Sequence, residues 1–412
     1  MNNNNQHIPS GYKPSPLGII PEDWEVKRLG DFSRFFSGGT PKSGNPLFYN
    51  GNIPFIRSGE INKGKTELFL SQEGVDNSSA KLVEEGDILY ALYGANSGQC
   101  SLSKIQGAIN QAILCIRPKT NKYYVMSVLQ LNKEHYYNSF LQGGQGNLSG
   151  EIVSNYRLAI PPIEEQERIC NVLQLWDTAI AKQTALIEKL TLCKRGLMQQ
   201  LLTGKKRLKG FEGEWKNIMI GSIAERITRK NEEDNKNVVT ISAQRGFVVQ
   251  TDFFNKSVAS EILDGYFLVH KDEFCYNKSY SNGYPMGAIK RLKSFDKAVV
   301  TTLYICFRLK EKLRTNIDFF EQYCESGLLN KELVKVANEG GRAHGLLNVT
   351  PADFFNMHMR FPLIEEQTAI ASVLVNADKE IEIHKQKLAA MQEQKKGLMQ
   401  VLLTGKRRIK IN

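Results

Sequence analysis

No run of 18 consecutive apolar residues occurs in this 412-residue chain, so the sequence offers no helical membrane span. Cysteine is sparse: seven residues, scattered singly, with no C-x-x-C pair. That excludes a zinc ribbon and suits a reducing cytoplasm in which the thiols are buried. The six histidines form no ligand-spaced cluster, so no metal site is expected. Met1 to Gln6 is Asn-rich and lacks an apolar h-region, so no signal peptide is expected. Catalytic signatures are missing as well. Thr203-Gly204-Lys205-Lys206 lacks the upstream glycine and the following hydroxyl of a phosphate loop, and Gly143-Gly144-Gln145-Gly146 lies outside the strand–turn–helix setting of a dinucleotide fingerprint. There is no H-E-x-x-H and no G-x-S-x-G. Asn45-Pro46-Leu47-Phe48 only approximates the Asn-Pro-Pro-aromatic motif of an amino-methyltransferase, and no P-D…(D/E)-x-K nuclease constellation stands out. The expectation is a chain with no catalytic centre of its own.

What is present is basic charge and a duplication. The formal net charge is +11. Such an excess favours a polyanionic partner, most simply nucleic acid. Pro161-Pro162-Ile163-Glu164-Glu165-Gln166 recurs 201 residues on as Pro362-Leu363-Ile364-Glu365-Glu366-Gln367. Gly196-Leu197-Met198-Gln199 through Thr203-Gly204-Lys205 recurs as Gly397-Leu398-Met399-Gln400 through Thr404-Gly405-Lys406, at the same offset and with no gap. Roughly 22 of 49 paired positions from 161 to 209 are identical. A period this long marks a duplicated domain rather than a solenoid.

Each copy reads as one long helix. Proline followed by Glu-Glu-Gln is a start signal, because acids suit the positive end of the helix dipole. Thr-Gly-Lys is a stop signal, with glycine free to take the left-handed cap. Apolar residues fall in pairs four apart, repeating every seven: Ile169/Leu173, Trp176/Ile180, Leu190 and Leu197/Leu201 in the first copy; Ile370/Leu374, Ile381, Leu388, Met391 and Leu398/Leu402 in the second. This is a coiled-coil seam with a weak middle, where Gln183, His384, Lys194 and Lys395 interrupt it. A helix of about 40 residues is ~60 Å long and too thin to bury its own seam, so the other copy is the expected partner.

The duplication extends beyond the helices. Trp24 echoes Trp215, and Gly30 echoes Gly221. Before them, Asn2 to Pro16 reads as a flexible arm. Strands are expected at 53–57, 88–90 and 112–117, echoed at 238–241, 274–276 and 303–308. A helical segment follows (Tyr123 to Phe140, echoed by Phe319 to Asn338), then a Gly-rich loop (143–148 and 340–346), a Pro-bounded strand and the long helix. The frameworks match while the loops diverge: 93–99 faces 277–284 with almost nothing in common. Such divergence follows if each half uses one scaffold to recognise a different thing.

The loops supply binding chemistry. Arg and Lys neutralise phosphates; Arg reads guanine, and Asn or Gln reads adenine, in the major groove. The candidate DNA-contacting residues are Arg57, Asn96, Gln99, Gln145 and Asn147 in the first half. In the second they are Gln244, Arg245, Lys278, Asn282, Arg342 and His344. The clusters Lys205-Lys206-Arg207 with Lys209 and Lys406-Arg407-Arg408 with Lys410 fit either phosphate contacts or favourable charge at a helix C-terminus. Glu164/Glu165 and Glu365/Glu366 are sufficiently explained as helix-start acids.

Taken together, the paired helix starts and ends, the Trp24 and Trp215 openings and the two-fold repeat resemble the specificity (S) subunit of type I restriction–modification systems, over nearly the whole chain. The resemblance implies an α+β fold: two similar mixed α/β target-recognition domains separated by two long antiparallel helices that act as a spacer. The corresponding boundaries are 1–160, 161–205 (first helix), 206–361 and 362–412 (second helix). It implies that each domain reads one half of a split site in double-stranded DNA and that helix length sets the gap. It also implies partners: two methyltransferase (M) subunits and, in the full complex, restriction (R) subunits. S-adenosylmethionine, ATP and Mg are expected on those partners, with no cofactor on this chain. The departure from a true tandem is minor, the N-terminal arm having no counterpart. Two rival readings remain at this stage. One is a nucleic-acid-binding scaffold outside restriction, which would bind without a methyltransferase partner. The other is a structural dimerisation protein, which would show little salt-sensitive DNA affinity.

Overall fold

The computed structural model describes residues 8–141, 147–251, 263–310, 314–339 and 347–409. The chain is α+β and divides into two compact units. Unit 1 comprises Met1–Gln183 with Lys387–Asn412, and unit 2 comprises Thr184–Gln386. Both long helices are continuous, Ile163–Leu201 and Ile364–Leu402, 39 residues each and 201 apart. The division therefore runs through the middle of each helix. Each unit owns the start of one helix and the end of the other.

In unit 1 an antiparallel sheet takes the order Ser33–Ser37, Ile113–Pro118, Ile88–Ala91, Cys100–Leu102. Ile88–Ala91 is buried throughout, so it reads as a continuous apolar run rather than an alternating one. A second sheet orders Leu68–Leu70, Tyr49–Ile56, Gly107–Ile109 and Lys81–Val83, with one parallel pairing, Gly107–Ile109 to Tyr49–Ile56. Glu25–Arg28 pairs antiparallel with Arg157–Ile160, the strand that feeds the first long helix. Unit 2 repeats the plan. Ala224–Ile227, Ile305–Leu309, Phe274–Asn277 and Ala288–Arg291 form the same four-stranded order, and Lys216–Met219 pairs with His358–Phe361. Its second layer is reduced to two antiparallel pairs, Val239–Ser242 with Gly246–Val249 and Phe267–His270 with Lys297–Val300. A single parallel bridge, Val238 to Val299, joins them.

Three expectations change. The N-terminal arm is not free over its whole length: Tyr12–Ser15 and Gly18–Pro21 form a hairpin, and the Tyr12 hydroxyl donates to the Gly405 carbonyl at 3.0 Å. The helical segment of each half is two helices, Lys122–Leu131 and Lys133–Leu141 in unit 1, Ile317–Glu325 and Asn330–Val336 in unit 2. In unit 1 the break falls at Asn132, which caps the first helix by donating both its backbone N–H and its carboxamide to the Val128 carbonyl. Of the cysteines expected to be buried, Cys193 on the first long helix is exposed.

The cores show what the long helices do. In unit 1, Trp24, Tyr124, Ile116 and Leu158 pack with Ile169 and Leu173 from the start of the first helix and with Met399, Leu402 and Leu403 from the end of the second. In unit 2, Phe274, Phe307, Phe319 and Phe354 pack with Ile370 and Leu374 from the start of the second helix and Met198, Leu201 and Leu202 from the end of the first.

The seam itself is less uniform than its spacing implies. Ile169, Leu173, Leu201, Ile370, Leu374, Ile381 and Leu402 are buried, but Trp176, Ile180, Leu190, Leu197, Leu388, Met391 and Leu398 are only half-buried. Ile180 is the clearest correction. It was expected as a seam position equivalent to Ile381, yet Ile381 is buried and Ile180 is not, although neither belongs to a core cluster. The physical reason is geometric. The seam is deepest where a sheet-bearing core lies over it as a further layer, as at Ile169, Leu173, Ile370 and Leu374, while one position of the repeat is covered unequally on the two helices. The thin middle is real: of residues 181–190, only Gln183 is buried.

Candidate nucleic-acid interface

The repeated motifs form locks rather than reading groups. Glu165 is buried, accepts from Trp24 Nε1 at 3.0 Å, and accepts from Arg408 Nε and Nη2 at 2.6 and 2.7 Å. Glu366 repeats this with Trp215 Nε1 at 3.2 Å and Arg207 Nε and Nη2 at 2.5 and 2.7 Å. Gln166 donates to the Pro161 carbonyl and accepts from Thr120 Oγ1; Gln367 donates to the Pro362 carbonyl and accepts from the Asn316 amide. Each helix start is thereby fastened to its own domain and to the other helix's end. Of the two basic clusters, Arg207 and Arg408 turn to these carboxylates, while Lys205, Lys206, Lys406 and Arg407 are exposed. The polar interruptions of the seam pair too. Lys395 meets Asp177 in unit 1, and Lys194 meets Asp378 in unit 2. Partner numbers fall on one helix as they rise on the other, so within each unit the helix segments run antiparallel.

In each unit the residue at the end of the Gly-rich segment is held to a neighbouring loop by a backbone hydrogen bond. In unit 1, the Leu148 amide donates to the Leu92 carbonyl at 3.0 Å, which sets Asn147 beside the 93–99 loop. Asn96 in that loop faces the 57–60 turn, since a Cβ on Gly59 would lie 3.6 Å from Asn96 Nδ2. In unit 2, the Leu347 amide donates to the Lys278 carbonyl at 3.0 Å in the same manner, and Asn277 Nδ2 reaches the Ile241 carbonyl at 3.4 Å. The 277–284 loop is thus tied to the strand that precedes Gln244, and Gln244 and Asn282 line one groove. Gly287 closes the hairpin from which this loop springs: its φ is +74°, and a Cβ there would fall 2.3 Å from the Asn277 carbonyl oxygen. Gln99, Asn147, Gln244, Arg245 and Asn282 are exposed; Arg57, Asn96 and Lys278 are half-buried. Gln145, Arg342, His344 and Lys410 lie outside the described residues, as do most positions of both Gly-rich loops.

Charge pairing separates these candidates. Arg57 is engaged by Glu60 at 3.1 Å and by Glu67 at 2.5 Å, and the hydrogen bonds it donates to Glu60, then Glu67, push its guanidinium pKa up. Burial alone raises the Glu60 carboxyl, but Arg57 and two backbone amides hold it below its ordinary value. The Arg57 charge is therefore balanced inside the chain, and among the described residues the carboxamides Asn96, Gln99 and Asn147 have no side-chain hydrogen-bond partner. In unit 2, Gln244 and Asn282 line one ≈790 Å³ groove together with Arg195 and Gln199 of the first long helix. Sequence reasoning assigned that stretch of helix to the seam and missed its outer face. The four-residue spacing of Thr191, Arg195 and Gln199, off the seam, was the available signal. Among the described residues no group of three or more His, Cys, Asp and Glu side chains is placed to hold a metal ion, and no helix is long and apolar enough to cross a membrane.

Comparison with known proteins agrees with this architecture. Residues 21–192 match the type I restriction modification DNA specificity domain. The chain is 26% identical over 421 residues to the type I restriction enzyme MjaVIII specificity subunit of Methanocaldococcus jannaschii, covering 95% of this chain and 94% of that one. It is 24% identical over 178 residues to the EcoR124I/EcoR124II specificity subunit of Escherichia coli, covering 40% of this chain and 44% of that one. Among solved structures, the type I restriction-modification S subunit from M. genitalium superposes with a TM-score of 0.55 at 13% identity, covering 100% of this chain and 99% of that one.

Proposed function

We infer that this chain, a member of the type I restriction–modification specificity family, is the DNA-reading subunit of a type I complex. Each unit reads one half of a bipartite site, and the long helices set the number of base pairs between the halves. The observation that carries the reading is a contrast within one molecule. The same framework, the same Glu–Arg–Trp lock and the same backbone hydrogen bond between the end of the Gly-rich segment and the neighbouring loop occur twice, while the residues of those loops differ. A bipartite site requires that combination: two readers of one design and different specificity, at a fixed separation measured in helical turns of about 34–36 Å. The chain itself contributes no catalytic group. Methyltransferase subunits dock on it, two in number because the chain offers two like units, and they bring S-adenosylmethionine; restriction subunits bring ATP and Mg. The complex works on DNA in the cytoplasm.

The test is co-expression with the cognate methyltransferase subunit, followed by mapping of methylated adenines by long-read sequencing. The expected result is a split motif, two short specific halves around a constant gap. Exchange of residues 1–157 for those of a relative changes one half and leaves the other. A continuous motif, or a change in both halves, overturns the reading.

A further inference from the structure

The seam accounts for one side of each long helix. On another face of the first helix, Thr191, Arg195 and Gln199 recur at four-residue spacing and are exposed, and all three line the ≈790 Å³ groove of unit 2 that Gln244 and Asn282 also line. The acids of this groove are already engaged. Glu321 accepts from Lys293 Nζ at 2.7 Å, Glu325 from Lys290 Nζ at 2.6 Å, and Asp378 from Lys194 Nζ at 2.6 Å. Arg195 has no acidic partner among the described residues, so it is the uncompensated cation of a groove that also holds two reading carboxamides. The corresponding face in unit 1 carries Gln392, Lys396 and Gln400, also exposed. The cation and the terminal carboxamide thus recur, whereas positions 181–193 share no identity with 382–394.

We propose that Arg195 is a positioning residue that grips the phosphodiester backbone of the DNA strand presented to Gln244 and Asn282, and that Lys396 has this role in unit 1. The long helix is then part of the DNA interface as well as the ruler. A guanidinium binds phosphate through paired N–H donors, and such a contact sets register and orientation without carrying sequence information. Lysine at 396 supplies the charge without the fork, so its contact is less directional. The proposal rests on the DNA-reading function above, and its test separates the two.

Wild-type and Arg195→Ala chains, each co-purified with the methyltransferase subunit, are titrated by fluorescence anisotropy with the mapped duplex and with a scrambled duplex, from 50 to 200 mM salt. Removing one phosphate contact lowers the log–log salt slope by about 1. The affinity lost between the two salt concentrations therefore shrinks by about 3.5-fold, equally for both duplexes. The methylated motif stays the same, and Arg195→Lys restores the slope. An unchanged slope overturns the proposal. So does a loss confined to the mapped duplex or a relaxed second half-site, either of which makes Arg195 a base reader. Failure of Arg195→Ala to co-purify with the methyltransferase also overturns it, because the face is then a protein contact. A wild-type complex that binds neither duplex is a separate outcome: it sinks the DNA-reading function itself and this proposal with it.

Discussion

Replacing Arg408, five positions from the C-terminus, by alanine is expected to destabilise the domain formed by the first part of the chain. Arg408 donates to Glu165 at 2.6 and 2.7 Å and to Asp23 at 2.9 and 2.7 Å. The Arg408 hydrogen bond is the main reason the Asp23 carboxyl titrates below its ordinary value. Glu165 is the costly partner, because its side chain is 10% exposed and without Arg408 it keeps only Trp24 Nε1 as a side-chain partner among the described residues. Stranding one member of a buried ion pair costs about 3–5 kcal/mol. The Arg408 side chain is 36% exposed, so water reaches the vacated space and the expected loss is about 2–3 kcal/mol. That is a rise of about 30- to 150-fold in the open population. Hydrogen exchange with mass spectrometry reads it locally. Amides of Ile113–Pro118 and Glu25–Arg28 exchange faster by that factor, those of Phe274–Asn277 in unit 2 do not, and Arg408→Lys recovers part of the protection. Less than a threefold change in unit 1, or an equal change in unit 2, refutes the reasoning.

Two further outcomes are expected. Burial raises the Asp87 carboxyl, but Arg117 at 2.6 Å and Lys122 at 3.0 Å, with the Glu84 amide, bring it below its ordinary value. Its folded pKa lies below its unfolded one, so its contribution is full above about pH 4 and is lost as pH falls through the depressed value. Urea midpoints measured against pH show this acid limb in the wild type, and Asp87→Asn flattens it; an unchanged slope contradicts the assignment. Lengthening the ruler requires matched insertions. Asp177 and Lys194 on one helix are as far apart in sequence as Asp378 and Lys395 on the other, and each pairs with the other helix inside its own unit. One turn inserted in Ala181–Lys189 together with one turn in 382–390 lengthens the unread gap in the methylated motif and leaves both half-sites alone, whereas an insertion in one helix alone impairs assembly. Altered half-site sequences would contradict the ruler.

Much of this was legible because it is short-range. The helix starts at Pro161 and Pro362, the glycine stops at Gly204 and Gly405, and the seven-residue repeat between them each depend on neighbours within a turn or two, and the helices run within the expected limits. How deeply each seam residue is covered was not legible, as the difference between Ile180 and Ile381 shows, because the repeat marks a face and not what lies over it. The strands at 53–57, 112–117 and their echoes were readable from apolar runs bounded by turns, as was their recurrence. The candidate loops were legible as places and less so as chemistry. Arg57 looked like an available cation, although Glu60, three residues on, was the clue that it is paired. The outer face of the first helix around Arg195 was hidden because a single period was assigned to the whole helix.

The sequence by itself determined the duplication, the α+β class, the two long helices and the absence of known catalytic signatures, since all of these follow from local order and from comparing the chain with itself. Only the tertiary structure decided that each domain is closed by the far end of the other domain's helix. Arg408 and Glu165 are 243 residues apart, and a basic run after a helix looks solvated until the fold brings a buried carboxylate to it. It also decided which cations are balanced and which remain available, because charge compensation depends on distances of about 3–4 Å between residues that the chain order keeps apart.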